Sequence, residues 1–163
     1  MEHSKSTSTP LAVHPPLTAA EKPLPDPSQY RALVGSLQYL SLTHPNVSFS
    51  VNKLAQYMHC PTDFHMQSLY RLLRYLNGTS NMGLIIHKNS PLSLHAYSDV
   101  DWARDTDDFI STTAYIVYLG KYPISWSSRK QKTHAKSSTE AKYRAVAAAS
   151  AELLWVQNLL HEL

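Results

Sequence analysis

The chain has 163 residues, of which 43% are hydrophobic, 10% aromatic and 17% charged, enough for one ordinary domain or two small ones and unlike the composition of wholesale disorder. A formal charge of +3 permits a polyanionic partner without demanding one, and Cys60 alone excludes an internal disulfide or a zinc site of several thiolates. No run approaches the roughly 18 apolar residues of a membrane span, the N-terminus lacks a secretory signal's apolar core, and a reducing, intracellular setting is the default.

Residues 1–27 hold Pro10, Pro15, Pro16, Pro23, Pro25 and Pro27 among Ser and Thr, with no apolar periodicity. Proline fixes φ and lacks a donor, so this segment reads as a disordered or extended tail. Three short helices follow over 28–78. Asp26 can cap the first, with Pro27 at its first position, and Tyr30, Leu33, Val34, Leu37 and Leu40 recur at helical spacing. His44-Pro45 breaks the chain, and Val47, Val51, Leu54 and Met58 mark the second helix. Pro61 breaks it again; Thr62 or Asp63 caps the third, where Leu69, Leu72, Leu73 and Leu76 form a stripe before Asn77-Gly78.

The period then changes. Leu84, Ile85 and Ile86 suggest a strand, and Leu92, Leu94, Ala96 and Ser98 alternate with polar residues as a second. Ala114 to Leu119 reads as a central strand, Gly120-Lys121 as a turn and Tyr122 to Ser127 as the return strand. Between the longer strands lie Asp99, Asp101, Asp105, Asp107 and Asp108. Residues 137–163, rich in Ala and Leu and free of Pro and Gly, form one helix capped by Ser137 or Ser138. Its inward stripe runs through Ala141, Ala145, Ala148, Ala149, Glu152, Val156, Leu159, Leu160 and Leu163.

Asp99, at a strand end, and Glu140, in the first turn of the long helix, are the acids that pattern alone singles out. Together they would make half of a two-metal site for Mg²⁺, which takes carboxylates and water. The plain alternative is a loop acid and a carboxylate answering the helix dipole. Arg129, Lys130, Lys132 and Lys136 form a basic run, and Arg71 and Arg74 a basic pair; each reads either as a solvated face or as phosphate contacts. Trp102 and Trp126 read as core residues or base-stacking platforms, and Trp155 as packing the helix.

Five words occur in a telling order: Tyr30 to Leu40 (YRALVGSLQYL), Arg71 to Thr79 (RLLRYLNGT), Tyr97 to Ala103 (YSDVDWA), Ile124 to Gln131 (ISWSSRKQ) and Ser137 to Tyr143 (SSTEAKY). Residues 28–163 thereby resemble the copia-type retrotransposon Pol polyprotein, from the end of the reverse transcriptase into its ribonuclease H domain. The resemblance implies an α+β (or α/β) architecture. Residues 28–78 would be a helical thumb or connection segment, and 79–163 an incomplete ribonuclease H-like domain of three antiparallel strands and one long helix. It implies a Mg²⁺ (or Mn²⁺) site that cleaves RNA in an RNA–DNA hybrid, with Asp99 matching the strand ligand.

Departures from the family words weaken that site. The family has acids at both 140 and 142, whereas this chain has Glu140 and Lys142. The residues after 142 fit the usual helix ligand better than those after 140. Two residues are about 200° apart around a helix, so Glu140 could not simply substitute. Lys142 would repel Mg²⁺ and is a candidate to pair with Asp99. Arg104 replaces a family Gly, Phe109-Ile110 a basic pair, the two further Asp ligands would lie beyond Leu163, and the polymerase acids upstream of residue 28. Three readings stand: a truncated remnant inactive as a single chain, a ribonuclease H completed by another chain, and a non-enzymatic nucleic-acid-binding module. The partner implied is an RNA–DNA hybrid or other nucleic acid, weakly held, with no membrane. A missing neighbour strand would leave the Asp99 strand with an open edge able to self-associate.

Overall fold

Proline and threonine set the starts of three helices. The computed structural model describes residues 5–19, 22–105 and 107–162, and it places α1 at Ser28–Leu40, α2 at Pro45–Ala55 and α3 at Asp63–Gly78. The cap of α1 is displaced by one residue: Pro27 holds the N-cap position, and Asp26 accepts from the Ser28 N–H at 2.9 Å. Pro45 opens α2, where a missing N–H costs nothing. Thr62 begins α3 with a capping box, its hydroxyl accepting from the His65 N–H while His65 Nδ1 accepts from the Thr62 N–H at 2.9 Å. Tyr30, Val34, Leu37, Val47, Val51, Leu54, Leu69 and Leu72 are buried together. The Tyr30 hydroxyl enters this core and donates to the Leu54 carbonyl at 2.8 Å.

The described residues of the proline-rich segment form no helix or named strand, as its prolines dictate, but they do not hang free. Its Leu17 is buried and accepts at its carbonyl from Tyr57 Oη at 2.9 Å. The Leu24 N–H donates to Pro61 O at 2.7 Å, beside an isolated bridge between Pro23 and Thr62. A proline-stiffened chain loses little entropy on docking, so a few such contacts suffice to hold it. These elements make up the first of two units, Met1–Gly83.

The second unit, Leu84–Leu163, contains β1 (Leu94–Asp101), β2 (Thr112–Leu119), β3 (Tyr122–Lys130) and α4 (Ser138–Glu162). The strands form one antiparallel sheet in the order β1-β2-β3, so four helices and this sheet give the expected α+β class. Gly120 turns β2 into β3 with φ +60°, and a side chain there would collide with the Pro91 carbonyl. The strand expected at Leu84, Ile85 and Ile86 does not form. Those residues are exposed, and the segment after them is held instead by Tyr122 Oη at His87 and by Ser90 Oγ, which accepts from the Lys121 N–H.

α4 packs on one face of the sheet, over β1 and β2. Ala141, Ala145 and Ala149 are buried there, and their small side chains let the helix approach closely. Only Val156 extends the fully buried stripe; Leu159 and Leu160 are partly exposed, and Leu163 lies outside the described residues. Trp155, expected to pack the helix, is 60% exposed. No helix among the described residues is long and apolar enough to cross a membrane.

Candidate functional site

Strand alternation decides which groups can meet. Ser125 Oγ donates to Glu152 of α4 at 2.6 Å, and Gln131 Nε2 bridges Thr113 Oγ1 and the Ala141 carbonyl at 2.9 and 3.1 Å. Odd-numbered β2 residues therefore face α4. Their β1 partners are Val100, Ser98 and Ala96, opposite Thr113, Tyr115 and Val117. Asp99 lies between two of these and points to the other face. It shares that face with His95 and Tyr97, which make ring contacts with each other and with Tyr118. Asp99 is exposed on an edge strand, and among the described residues its carboxylate accepts only from the neighbouring Val100 N–H, at 2.8 Å.

Glu140 is engaged elsewhere. Its carboxylate accepts from the Lys136 N–H at 2.7 Å and from Arg144 Nη2 at 2.6 Å, while Ser137 Oγ accepts from the Glu140 N–H at 3.1 Å. The bond from Lys136, aided by Arg144, holds the Glu140 carboxyl below the usual carboxylate range. This is a helix N-terminus satisfying its own orphan donors. Lys142 is exposed and makes no hydrogen bond or ion pair among the described residues, so it does not neutralise Asp99. Among the described residues no hydrogen bond or ion pair links Asp99, Glu140 and Lys142 to one another. Among the described residues no group of three His, Cys, Asp or Glu side chains could hold a metal ion. The residues present do not fit a two-metal centre, which needs several convergent carboxylates.

The basic run separates into two parts. Lys130 is consumed: Nζ lies 2.8 Å from Asp105, whose side chain is 3% exposed, and 2.8 Å from Asp108. Burial lowers the Lys130 amine, but the bonds to Asp105 and Asp108 outweigh it and leave the group above its usual value. Asp105 and Asp108 belong to the acidic loop, so these acids are a structural counter-charge. Arg129 and Lys132 are exposed and make no hydrogen bond or ion pair among the described residues.

Arg129 and Lys132 line a cleft of about 550 Å³ between α4 and the helix-facing side of β2 and β3. Tyr115 and Ser127 form part of its floor and Arg144 and Ala148 its wall. Burial and the nearby Glu152 charge push the Tyr115 hydroxyl up, which keeps it a neutral donor at ordinary pH. Arg144 was not singled out from the sequence, yet it fixes the cleft's rim. Nη1 donates to the Thr133 carbonyl at 2.9 Å and Nη2 to Glu140, tying the loop to the helix. The i,i+4 spacing of Glu140 and Arg144 was the available signal.

In the first unit, Arg71 donates to Thr9 Oγ1 at 2.8 Å and accepts at its carbonyl from Thr7, so it anchors the N-terminal segment. Arg74 lines a hollow of about 190 Å³ with Arg71, Leu11 and Phe64. Trp102 is 48% exposed, and its indole N–H reaches the Ala135 carbonyl at 3.4 Å. Trp126 is half-buried on the sheet face that carries Asp99.

Comparison with known proteins places this arrangement in context. The chain is 58% identical to the retrovirus-related Pol polyprotein from transposon RE2 of Arabidopsis thaliana, over 98% of its own length and 11% of that protein. It is 55% identical to the corresponding polyprotein from transposon RE1, with the same coverage. It is also 39% identical to secreted RxLR effector protein 161 of Plasmopara viticola, across 78% of the chain and 90% of that protein. No family model matches the chain, and no solved structure matches it. The chain spans about a tenth of the length of the transposon polyproteins it matches. With five sequence words in order and this identity along almost its whole length, it belongs to the copia-type retrotransposon Pol polyproteins.

Proposed function

We propose that this chain is the segment of a copia-type Pol polyprotein that follows the polymerase centre and opens a ribonuclease H-like domain. In this reading residues 28–78 are the connection helices and 79–163 carry the first strands and helix of that domain. Its ancestral work is RNA-directed DNA synthesis and Mg²⁺- or Mn²⁺-dependent cleavage of RNA in hybrids. As a single chain it retains nucleic-acid binding without cleavage.

The observation that carries this is the division of labour among the charged groups. Asp99 alternates to the face of β1 away from α4, and Glu140 is spent on its helix end. Arg129 and Lys132 remain available at a polar cleft whose rim Arg144 holds in place. Exposed cations beside hydroxyl and amide donors suit phosphate oxygens, which are bound without regard to sequence. Lys130, Arg71 and Glu140 do structural work and contribute little to such a surface.

Two assays test the reading. Incubation with an RNA–DNA hybrid and Mg²⁺ or Mn²⁺ should give no cleavage; cleavage lost in Asp99→Asn would show the chain to be an active nuclease. Titration of hybrid at two salt concentrations should give weak, salt-sensitive affinity that falls in Arg129→Ala/Lys132→Ala. Absence of measurable affinity at low salt would remove the binding function. The exposed position of Asp99 on an edge strand favours one second reading, a nuclease completed by acids from another polypeptide. Cleavage that appears only on adding the missing part of the polyprotein would establish it.

A further inference from the structure

α3 carries two cations with little to answer them. Arg71 and Arg74 stand three residues apart, on one face of the helix, and line one hollow with Gln67 and Ser68. Neither makes an ion pair among the described residues, and Arg74 makes no hydrogen bond there either. Arg71 Nε is buried with no hydrogen-bond partner. Among the described residues the only side-chain bond of Arg71 runs from Nη2 to Thr9 Oγ1, at 2.8 Å. A neutral hydroxyl is a weak answer to a guanidinium, whose strong partners are carboxylate and phosphate oxygens.

Thr9 belongs to a segment laid along α3. Ser6 sits against Gly78, where an added Cβ would lie 2.6 Å from the Ser6 Cβ. Thr7 Oγ1 donates to the Arg71 carbonyl at 3.3 Å, and Leu11 and Leu17 line the same hollow as the two arginines. Thr9 is exposed, lies outside any helix or strand and is followed by Pro10. Proline biases the residue before it toward extended backbone, the form in which protein kinases take a substrate, and Thr-Pro is a word that the proline-directed class reads. The sequence holds one other such word, Ser90-Pro91, but Ser90 is half-buried and its Oγ is engaged with the Lys121 N–H.

We propose that Thr9 is a phosphorylation site whose phosphate is held by Arg71 and Arg74. Thr9 Oγ1 attacks the γ-phosphorus of a nucleoside triphosphate. An Oγ–P bond forms, the P–O bond to the nucleoside diphosphate breaks, and the hydroxyl proton passes to a base of the kinase. The product carries close to two negative charges and three strong acceptor oxygens where a neutral hydroxyl stood. It supplies acceptors to both guanidiniums and fastens residues 6–17 to α3. Every group used lies within residues 6–78.

Treatment of the full 163-residue chain with a proline-directed kinase and ATP tests this. Peptide mapping should place the phosphate on Thr9, and Thr9→Ala should lose it. Amide hydrogen exchange over residues 6–17 should slow roughly tenfold on modification. In a phosphorus NMR titration the second ionisation of the phosphate should come below its ordinary value of about 6, because two guanidiniums favour the dianion. In Arg71→Gln/Arg74→Gln the phosphate should still be added, its ionisation should return to the ordinary value, and modification should bring no gain in protection. Arg129→Ala/Lys132→Ala should leave both readouts as in wild type. Exchange protection of α1, α2 and α3 shows whether each variant is folded. A chain that takes no phosphate at Thr9, a phosphate that ionises at its ordinary value, or protection unchanged by modification would each overturn the proposal.

Discussion

Replacing Lys130 by Met separates the structural cations from the binding ones. The ammonium lies 2.8 Å from Asp105, whose side chain is 3% exposed, while Lys130 itself is 21% exposed. Removing it leaves a nearly dry carboxylate without its main counter-charge. Breaking one partner of a buried pair costs about 3–5 kcal/mol. Asp105 keeps a bond from the Asp107 N–H at 3.0 Å, and Lys130 retains some solvent. A loss of about 2 kcal/mol is therefore expected, or roughly 10 °C in Tm for a unit of this size. The same pairing has a pH signature. Because the folded Lys130 amine is raised, its contribution is complete below the unfolded lysine value and fades as pH climbs through the folded value. Wild-type stability should fall on that alkaline limb, and Lys130→Met should fall less. Hybrid affinity at low salt should barely change, whereas Lys132→Ala should lower it and reduce the salt slope by about 1. Thermal melts and salt-dependent titrations on the same preparations check both halves. Lys130→Met as stable as wild type, or as damaging to affinity as Lys132→Ala, would refute the assignment.

Gly120→Ala places a side chain at φ +60° against the Pro91 carbonyl and should destabilise the second unit by about 1–3 kcal/mol in urea melts, with the helical unit unaffected. Glu140→Gln removes a carboxylate held below its usual range. The wild-type contribution is present above the unfolded carboxylate value and lost as pH falls through the folded one, so the acid limb of stability should flatten in the variant. Tyr30→Phe leaves the buried Leu54 carbonyl without its donor and should cost about 1–2 kcal/mol. Burial raises the Tyr30 hydroxyl, so its contribution is complete below the ordinary tyrosine value and lost as pH rises beyond it; the variant should soften alkaline unfolding.

Local pattern carried a good deal of this protein. The apolar spacing of Tyr30, Val34 and Leu37, the breaks at Pro45 and Pro61, the Gly120 turn and the alanine stripe of α4 each state their element, because helix and strand periods are properties of neighbouring residues. The five words also state the family on their own. The site was another matter. The alternation of Leu94, Ala96 and Ser98 already set Asp99 on the opposite face of its strand, but that α4 would cover the other face was decided only by the fold. Lys130 reads like Arg129 and Lys132 in sequence, and only the return of the acidic loop takes it out of the basic surface. Leu84 to Ile86 spell a strand and form none; Leu17, in a stretch that spells a free tail, finds the Tyr57 hydroxyl forty residues on. The sequence by itself determined which segments are helix or strand and to what family they belong. The tertiary structure decided which charges are spent and which face solvent, because charge pairing depends on distances that only packing sets.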